Sequence, residues 1–570
     1  MYIQYCTSKQ NGKTYTYPLL CHKYREDGKI KTKVILNLSA FSPETVLAIA
    51  ISLKKDKEIL VSSKEIRVIS SIDYGYVFTL IEIMKELKIP ETLSKTVGED
   101  ANLVKLLIIG KIVTKGSKLC IFNWIKRNAA IANMLQIDLA TLKLEALYEA
   151  LENVSLLQNK LERKWNLYHK TKNDDAIYLY DITSSYFEGT QNELASYGYN
   201  RDGKTGKKQI VIGLITNSEG FPLSVEVFNG NQNDHTTVIS QLQKIRTDFN
   251  ASNIIFVGDR GMRIRYNLSH MTQEDANGVS YITGLSAPEI RCLINEEIIQ
   301  LSLFGKELAE IETEDERYVL CNNPDLAISK KTTRDRLKAK VYEQLEDIKC
   351  AYQTRKLKNE TNTIKIESSS KKLNLVSAFS QTQLDSFKYR SRKCLEKYQM
   401  QSFFEITIDA EAFQIRFNEE NYSHAEQLDG KYVFVTNISK EKMDKHAIRA
   451  SYKKLQEVEH AFRDMKTAKL NVRPIYHRKE ETTKGHICIT MLSYAIIQHL
   501  EKKIHPWLIS YNQTNKSQLS FNDITEELKM IKLNTLRIGS NNEVIQVTEL
   551  TKIQKEIFSI LKLKNEQISL

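Results

Sequence analysis

The chain has 570 residues, 41% of them hydrophobic, with only 8 prolines and 21 glycines, which excludes a single small module, a disordered chain and a fibre and leaves a packed protein of several domains. Its 82 lysines and arginines against 70 aspartates and glutamates leave a formal charge of +12, a balance that suits a polyanionic partner, nucleic acid being the commonest. The 8 cysteines show no C-x-x-C or paired Cys/His spacing, which argues against structural zinc and a disulfide framework; with no signal-like N-terminus and an uncharged apolar stretch no longer than 485–500, the chain reads as cytoplasmic and free of membrane.

Residues 1–60 alternate like short strands, at 14–20 and 33–38, around an Asp27-Gly28 turn. From 61 to 172 the pattern turns helical, with apolar residues three and four apart in 76–87, 103–113 and 142–161, punctuated by Pro90 and Gly116. Residues 173–290 read as a mixed α/β order. A strand at 177–183 is followed by a hairpin of 209–217 and 221–228, a helix at 235–249, a strand at 253–257, a helix near 262–271 and a strand at 280–285. Residues 291–429 look inserted. They hold a charged helix at 332–350, a polar loop at 356–372 and a hairpin of 403–408 and 413–417. A strand at 432–436 and a long helical region from about 442 complete the core over 430–500, with 485–500 as a buried helix. The tail, 501–570, reads as helical and polar.

Three carboxylates stand out. Asp181 lies within the apolar strand Tyr-Leu-Tyr-Asp-Ile-Thr, and Asp259 closes another in Val-Gly-Asp-Arg-Gly. A carboxylate at a buried strand end is unfavourable unless something neutralises it, and strand ends are where sites gather in open α/β sheets. Taken alone, Asp259 also fits ordinary turn chemistry. The third acid is Glu459, on the helix Tyr452 to Lys466. Helical spacing puts Leu455, Val458, Phe462 and Met465 on an apolar stripe and Tyr452, Glu459, Arg463 and Lys466 on a neighbouring one. Glu457 and Asp464 fall on the opposite, solvated side. Taken alone, Glu459 and Arg463 also fit a surface i,i+4 pair. Together the three acids form a hard oxygen set suited to Mg²⁺ or Mn²⁺ rather than zinc. Two such ions roughly 3.5–4 Å apart suit phosphodiester chemistry.

The passages YDITSSYFEG (180–189), QIVIGLITNSEGFPLSVEVFNGNQNDHTT (209–237), FVGDRGM (256–262), YKKLQEVEHAFRDMK (452–466) and VRPIYHRKEETTKGHI (472–487) resemble the DDE transposases of bacterial insertion sequences, in the cut-and-paste group with a Tyr-x2-Arg-x3-Glu-x6-Lys helix. The resemblance implies a ribonuclease-H-like catalytic core with an inserted β-containing region and a mainly helical N-terminal region. It implies that Asp181, Asp259 and Glu459 are the catalytic, metal-holding acids, with Tyr452 and Lys466 at the family spacing. The family's arginine position falls on Leu455, and Arg463, one turn after Glu459, is the substitute for its phosphate contact. The implied reaction is metal-dependent cleavage at the element's terminal inverted repeats, then joining of the freed 3′-hydroxyls to target DNA, by a homodimer on double-stranded DNA. The rival readings are a non-catalytic DNA-binding derivative and a nuclease of the same fold that cuts without joining.

Gly198 to Thr205 matches a P-loop pattern, but that motif needs a strand before it and a helix after it, and the next element here is a strand. Arg201, Lys204, Lys207 and Lys208 read instead either as a basic loop beside the site, touching phosphates as Arg260 would, or as a solvated charge run. Glu188 and Asp234 read as structural acids, Asp234 and His235 as caps of the following helix, and Arg473 and His477 as candidate DNA contacts. Lys111, Lys115, Lys118, Lys126 and Arg127 read either as a basic helical face for DNA ends or as part of a helical packing domain, with no convincing helix-turn-helix among them.

Overall fold

A computed structural model describes residues 1–10, 13–53, 66–169, 175–262, 264–269, 278–367, 379–538 and 542–564. The chain forms two compact units, one of Met1–Glu86, Arg127–Met134 and His499–Leu570, the other of Leu87–Lys126 and Leu135–Gln498.

The smaller unit starts with an antiparallel sheet of β1 (Tyr2–Gln10), β2 (Lys13–Glu26) and β3 (Lys29–Asn37). The β2–β3 connection is the expected Asp27-Gly28 turn, both residues at positive φ (50° and 78°), as a two-residue hairpin requires. A helix absent from the sequence reading, Pro43–Ser52, begins at Ser42, whose side chain accepts from the Thr45 amide. Strand β4 (Ile66–Asp73) precedes the helix Gly75–Glu86.

The larger unit is built on a mixed eight-stranded sheet. Its strands are β5 (Asp175–Tyr186), β6 (Gln209–Asn217), β7 (Pro222–Asn229), β8 (Asn253–Gly258), β9 (Val279–Gly284), β10 (Leu308–Glu312), β11 (Arg317–Asn322) and β14 (Lys431–Thr436). Their spatial order is β10-β11-β14-β9-β8-β5-β6-β7. β5 and β8 run parallel, as do β8 and β9, and the β5–β6–β7 run is antiparallel. Every residue of β6 is buried, which is why its Ile-Val-Ile-Gly-Leu-Ile run shows no polar alternation. β10 and β11 correct the reading of 291–429 as wholly inserted: they extend the core sheet through β14.

Between β11 and β14 lies a satellite with its own core. The helix Pro324–Glu367 packs with the helix Gln381–Tyr398 and the hairpin β12 (Phe404–Ile408) and β13 (Phe413–Phe417) around Val341, Leu345, Tyr352, Phe387 and Phe404. The polar loop expected at 356–372 is corrected over 356–367, which continues the first helix; 368–372 lies outside the described residues. A polar composition does not forbid a helix whose one stripe packs, as Val341, Leu345, Ile348 and Tyr352 do. The expected helix near 262–271 is Ile264–Ser269, with 270 and 271 outside the described residues.

The long helical region from about 442 is also corrected. It is Lys445–Lys453, a turn at Lys454, Leu455–Arg463, and then a single π-helical turn over Asp464–Ala468. Residues 485–500 lie within the helix Glu480–Asn515, as expected. The tail is not purely helical. β15 (Lys532–Ile538) and β16 (Asn542–Val547) form a hairpin, and β15 pairs with β4. That sheet belongs to the smaller unit, and its partner strand lies at the other end of the chain, so local periodicity carries no sign of it. Among the described residues no helix is long and apolar enough to cross a membrane.

Candidate active site

The β5–β8 register brings the two aspartates together. Tyr180 pairs with Gly258 across the parallel strands, so Asp181 and Asp259, the next residues, sit side by side. On β5, Asp181 and Thr183 face one side, while Tyr180 faces the other and donates from its hydroxyl to Thr237 Oγ1 at 2.9 Å. The helix Leu455–Arg463 packs across β5 with Leu455, Val458, Ala461 and Phe462 buried beneath it, the stripe that the sequence predicts. Glu459 borders that buried face and is exposed, within electrostatic reach of Asp181.

The three acids thus form one negative centre. Burial raises the Asp181 carboxyl to about 7; the Asp259 and Glu459 charges add to the rise, and the Ile182 amide and Arg201 oppose it. Tyr452 donates from its hydroxyl to Asp259 Oδ1 at 2.9 Å. Its ring lies against Phe434 (centroids 4.4 Å apart) and over Gly284, where an added Cβ would come within 2.8 Å of the phenol oxygen. Burial, then the Asp259 charge and hydrogen bond, hold the phenol well above its ordinary value, so it stays a donor. Arg260 is exposed and acts electrostatically on the same phenol.

Lys466 lies on the π turn. It donates to Thr183 Oγ1 at 2.6 Å, two residues along β5 from Asp181, and to Asp202 Oδ1 at 3.0 Å. The Asp202 side chain is only 2% exposed; it also takes an ion pair from Arg473 and accepts the Tyr186 amide at 3.1 Å. Burial lowers the Lys466 ammonium below its ordinary value, Arg473 and Arg201 lower it further, and Asp202 opposes them. Arg463 is exposed on the glutamate helix. Asp464, expected to be solvated, is instead half-buried and paired with Lys469 at 2.8 Å, because the π turn rotates the helix end.

The basic loop is less free than its composition suggests. Lys207 is paired with Glu188 at 2.7 Å, Lys204 stands 5.9 Å from the centre of the Tyr186 ring, and Lys208 is half-buried. Arg201 binds both oxygens of Asp234 at 2.7 Å, so Asp234 anchors the loop rather than capping a helix; the helix Val238–Thr247 has no side-chain cap, from Asp234 or from His235. The P-loop-like segment runs into β6, not into a helix, and Gly198 has a packing reason, since an added Cβ would lie 2.1 Å from the Gly230 carbonyl. The expected basic face on the N-terminal helices is corrected in part: Lys115, Lys126 and Arg127 are exposed, but Lys111 and Lys118 are buried, and His477 turns inward beside Lys118. The sequence reading missed Asp202 as the hub joining Lys466 to Arg473. Its one signal was being the lone acid in a basic loop.

The sequence model described as the transposase DDE domain matches residues 172–496, more than half of the chain and the whole of this site. The chain belongs to the DDE transposases. A second match, to the IS1634 family transposase N-terminal domain, covers residues 3–60 of the transposase and marks it as an insertion-sequence enzyme. No curated protein matches it in sequence. Among solved structures, the cryo-EM structure of a piggyBac transposase synaptic complex with hairpin DNA is similar at 9% identity, over 84% of this chain and 74% of that one, with a TM-score of 0.32. The transposase cleaves DNA and transfers its strands, and the chemistry of its family depends on a divalent metal ion.

The residues present suit such an ion. Among the described residues no three His, Cys, Asp or Glu side chains stand in the arrangement that one ion needs. A Mg²⁺ site, however, takes one or two carboxylates and completes itself with water and substrate phosphate. A carboxyl pushed up to about 7 by burial among like charges is a place where a cation would relieve the repulsion.

Proposed function

We propose that the transposase uses Asp181, Asp259 and Glu459 as its catalytic acids, holding Mg²⁺ or Mn²⁺ within a ribonuclease-H-like core. The observation that carries this reading is the register of β5 and β8, which sets Asp181, within β5, beside Asp259, just past the end of β8, with the helix bearing Glu459 packed on β5. The fold part is supported by the run β7-β6-β5-β8-β9, three antiparallel strands followed by two parallel to β5. That core spans 173–290 and 430–500, with 1–60, 61–172 and 501–570 as flanking regions and the interruption within 291–429 holding the helix-and-hairpin satellite.

When bound, the ions activate the attacking oxygen and stabilise the leaving one. The protein does the rest. Tyr452 commits one oxygen of Asp259 and leaves the other for the reaction centre. Thr183 and Asp202 hold Lys466 at the same face of β5, where a DNA phosphate competes with Asp202 for it. Arg260, Arg463, Lys204, Lys207 and Lys208 supply further phosphate contacts around the rim. Water attacks the phosphodiester at the element end and releases a 3′-hydroxyl. That hydroxyl then attacks a target phosphodiester, displacing a target 3′-oxygen, so each step makes one P–O bond and breaks one. The two ends of one element are handled together by a homodimer. Asp259→Ala is expected to abolish cleavage and strand transfer on DNA carrying the element ends while leaving end binding nearly intact. Full cleavage by that variant refutes the assignment.

A further inference from the structure

Beside the catalytic face, within the larger unit, lies a cavity of about 610 Å³ that none of the carboxylate chemistry uses. Its wall carries Lys111, Lys115, Lys118, Arg473 and Arg478. Glu152 is the one acid among its described lining residues, and Lys479 already pairs with it at 2.7 Å. Lys111 and Lys118 are 4% and 5% exposed. The Lys118 Nζ lies 3.0 Å from His477 Nε2 and 2.8 Å from His486 Nδ1, and the Lys111 Nζ donates to the Asn471 carbonyl at 3.2 Å. Neither ammonium is paired with a carboxylate in these contacts. Burial, with the Lys111 charge next, lowers the Lys118 ammonium well below its ordinary value, and burial lowers Lys111 to about 8, so both charges are unfavourable unless an anion completes the cluster.

Burial, with Lys118 next, pushes His477 down to about 2 and His486 well below its ordinary value, so both rings are neutral and accept from Lys118. Lys115 and Arg478 are exposed, which puts cations at the mouth as well as the floor. The helix Lys118–Lys126 starts at the wall, adding its positive end. One wall is the segment 471–479, which follows directly from the π turn carrying Lys466. Arg473 lines the cavity and also pairs with Asp202, the partner of Lys466.

We propose that this cavity seats a backbone phosphate of the DNA strand being processed, with Lys118 and Lys111 as its buried anchors. Its charge supplies the missing counter-ion, and the Arg473–Asp202–Lys466 chain ties its occupancy to the position of the catalytic lysine. The proposal rests on DNA being the substrate of the site above, but its test reads binding without chemistry, so Asp259→Ala leaves the result unchanged even where it abolishes cleavage.

The test uses the full chain, without divalent ions, and end DNA bearing single uncharged methylphosphonates at successive positions. The wild type is expected to lose roughly tenfold in affinity at one position, the loss of one charged hydrogen-bonding partner. Lys118→Met, already weaker, is expected to lose nothing more at that position, and its log Kd against log salt slope falls by about 1. Arg478→Ala, at the exposed mouth, gives the same coupling if the buried substitution fails to fold. Equal penalties in wild type and variants at every position overturn the proposal. So does a cavity that inorganic phosphate alone fills, protecting Lys118 from amine acylation, while no DNA position couples to it.

Discussion

Two carboxylates in the larger unit, Glu162 fully buried and Asp181 half-buried, are treated in opposite ways. Glu162 is fully buried and completely matched: it takes Lys244 at 2.6 Å, the Ser224 hydroxyl at 2.6 Å, the Val225 amide at 3.1 Å and the Gln158 amide at 2.8 Å. Lys244 is shared with Glu226 at 3.1 Å, and its ammonium is raised because those two carboxylates outweigh its burial. Asp181 is raised to about 7 by burial and by the Asp259 and Glu459 charges, against the Ile182 amide and the Arg201 charge. On the proposed reading, charge that serves the fold is balanced within the fold, and charge that serves chemistry is left for a ligand to balance. Lys118 and Lys111 would be the basic counterpart of the second case: both are buried, and burial lowers both ammonium groups.

Substitutions at each place sharpen that contrast. Glu459→Gln is expected to lower cleavage by on the order of 10⁴, with thermal stability unchanged or higher because one like charge near Asp181 is gone; a clear drop in Tm would show that Glu459 serves the fold instead. Glu162→Gln should do the reverse, leaving Lys244 short of its main partner and costing about 3–5 kcal/mol in denaturant unfolding. A fully stable variant would erase the distinction. Tyr452→Phe removes the hydrogen bond that positions Asp259, and cleavage should fall by about 10- to 100-fold with little change in Tm, in line with the ~1.5–3 kcal/mol of a bond to a charged group.

The smallest effect is a pH slope. Burial lowers the Lys111 ammonium from 10.5 to about 8 in the folded chain. Between those values the unfolded chain binds more protons, so stability rises with pH there. Relative to Lys111→Met, the wild type should gain stability from about pH 8 to about pH 10.5; parallel curves would mean that the burial penalty is absent.

Much of the centre was legible in the chain. Asp181 lies within an apolar strand and Asp259 closes another, Glu459 borders an apolar helical stripe, and Tyr452 and Lys466 stand at fixed offsets from it, all signals carried within one strand or one helix. The two misreadings nearest the site have local causes. A polar composition hid the helix that continues to Glu367, and the π turn after Arg463 moved Asp464 off the face that a regular helix assigns it. The buried lysines were misread for a different reason: Lys111 and Lys118 look like surface charges in any window of sequence, because nothing nearby shows what covers them.

The order of strands and helices over 173–290, the apolar faces and the residue types able to hold a hard cation were set by the sequence alone, since periodicity and side-chain chemistry act over a few residues. Tertiary structure alone decided which strands pair across the chain, as β4 does with β15, and that β10 and β11 complete the core sheet. It alone joined Lys466 to Asp202, 264 residues away, and Lys118 to His486, 368 residues away. Contacts at such separations depend on how whole elements pack, and packing energy is summed over many side chains, so no single stretch of sequence displays it.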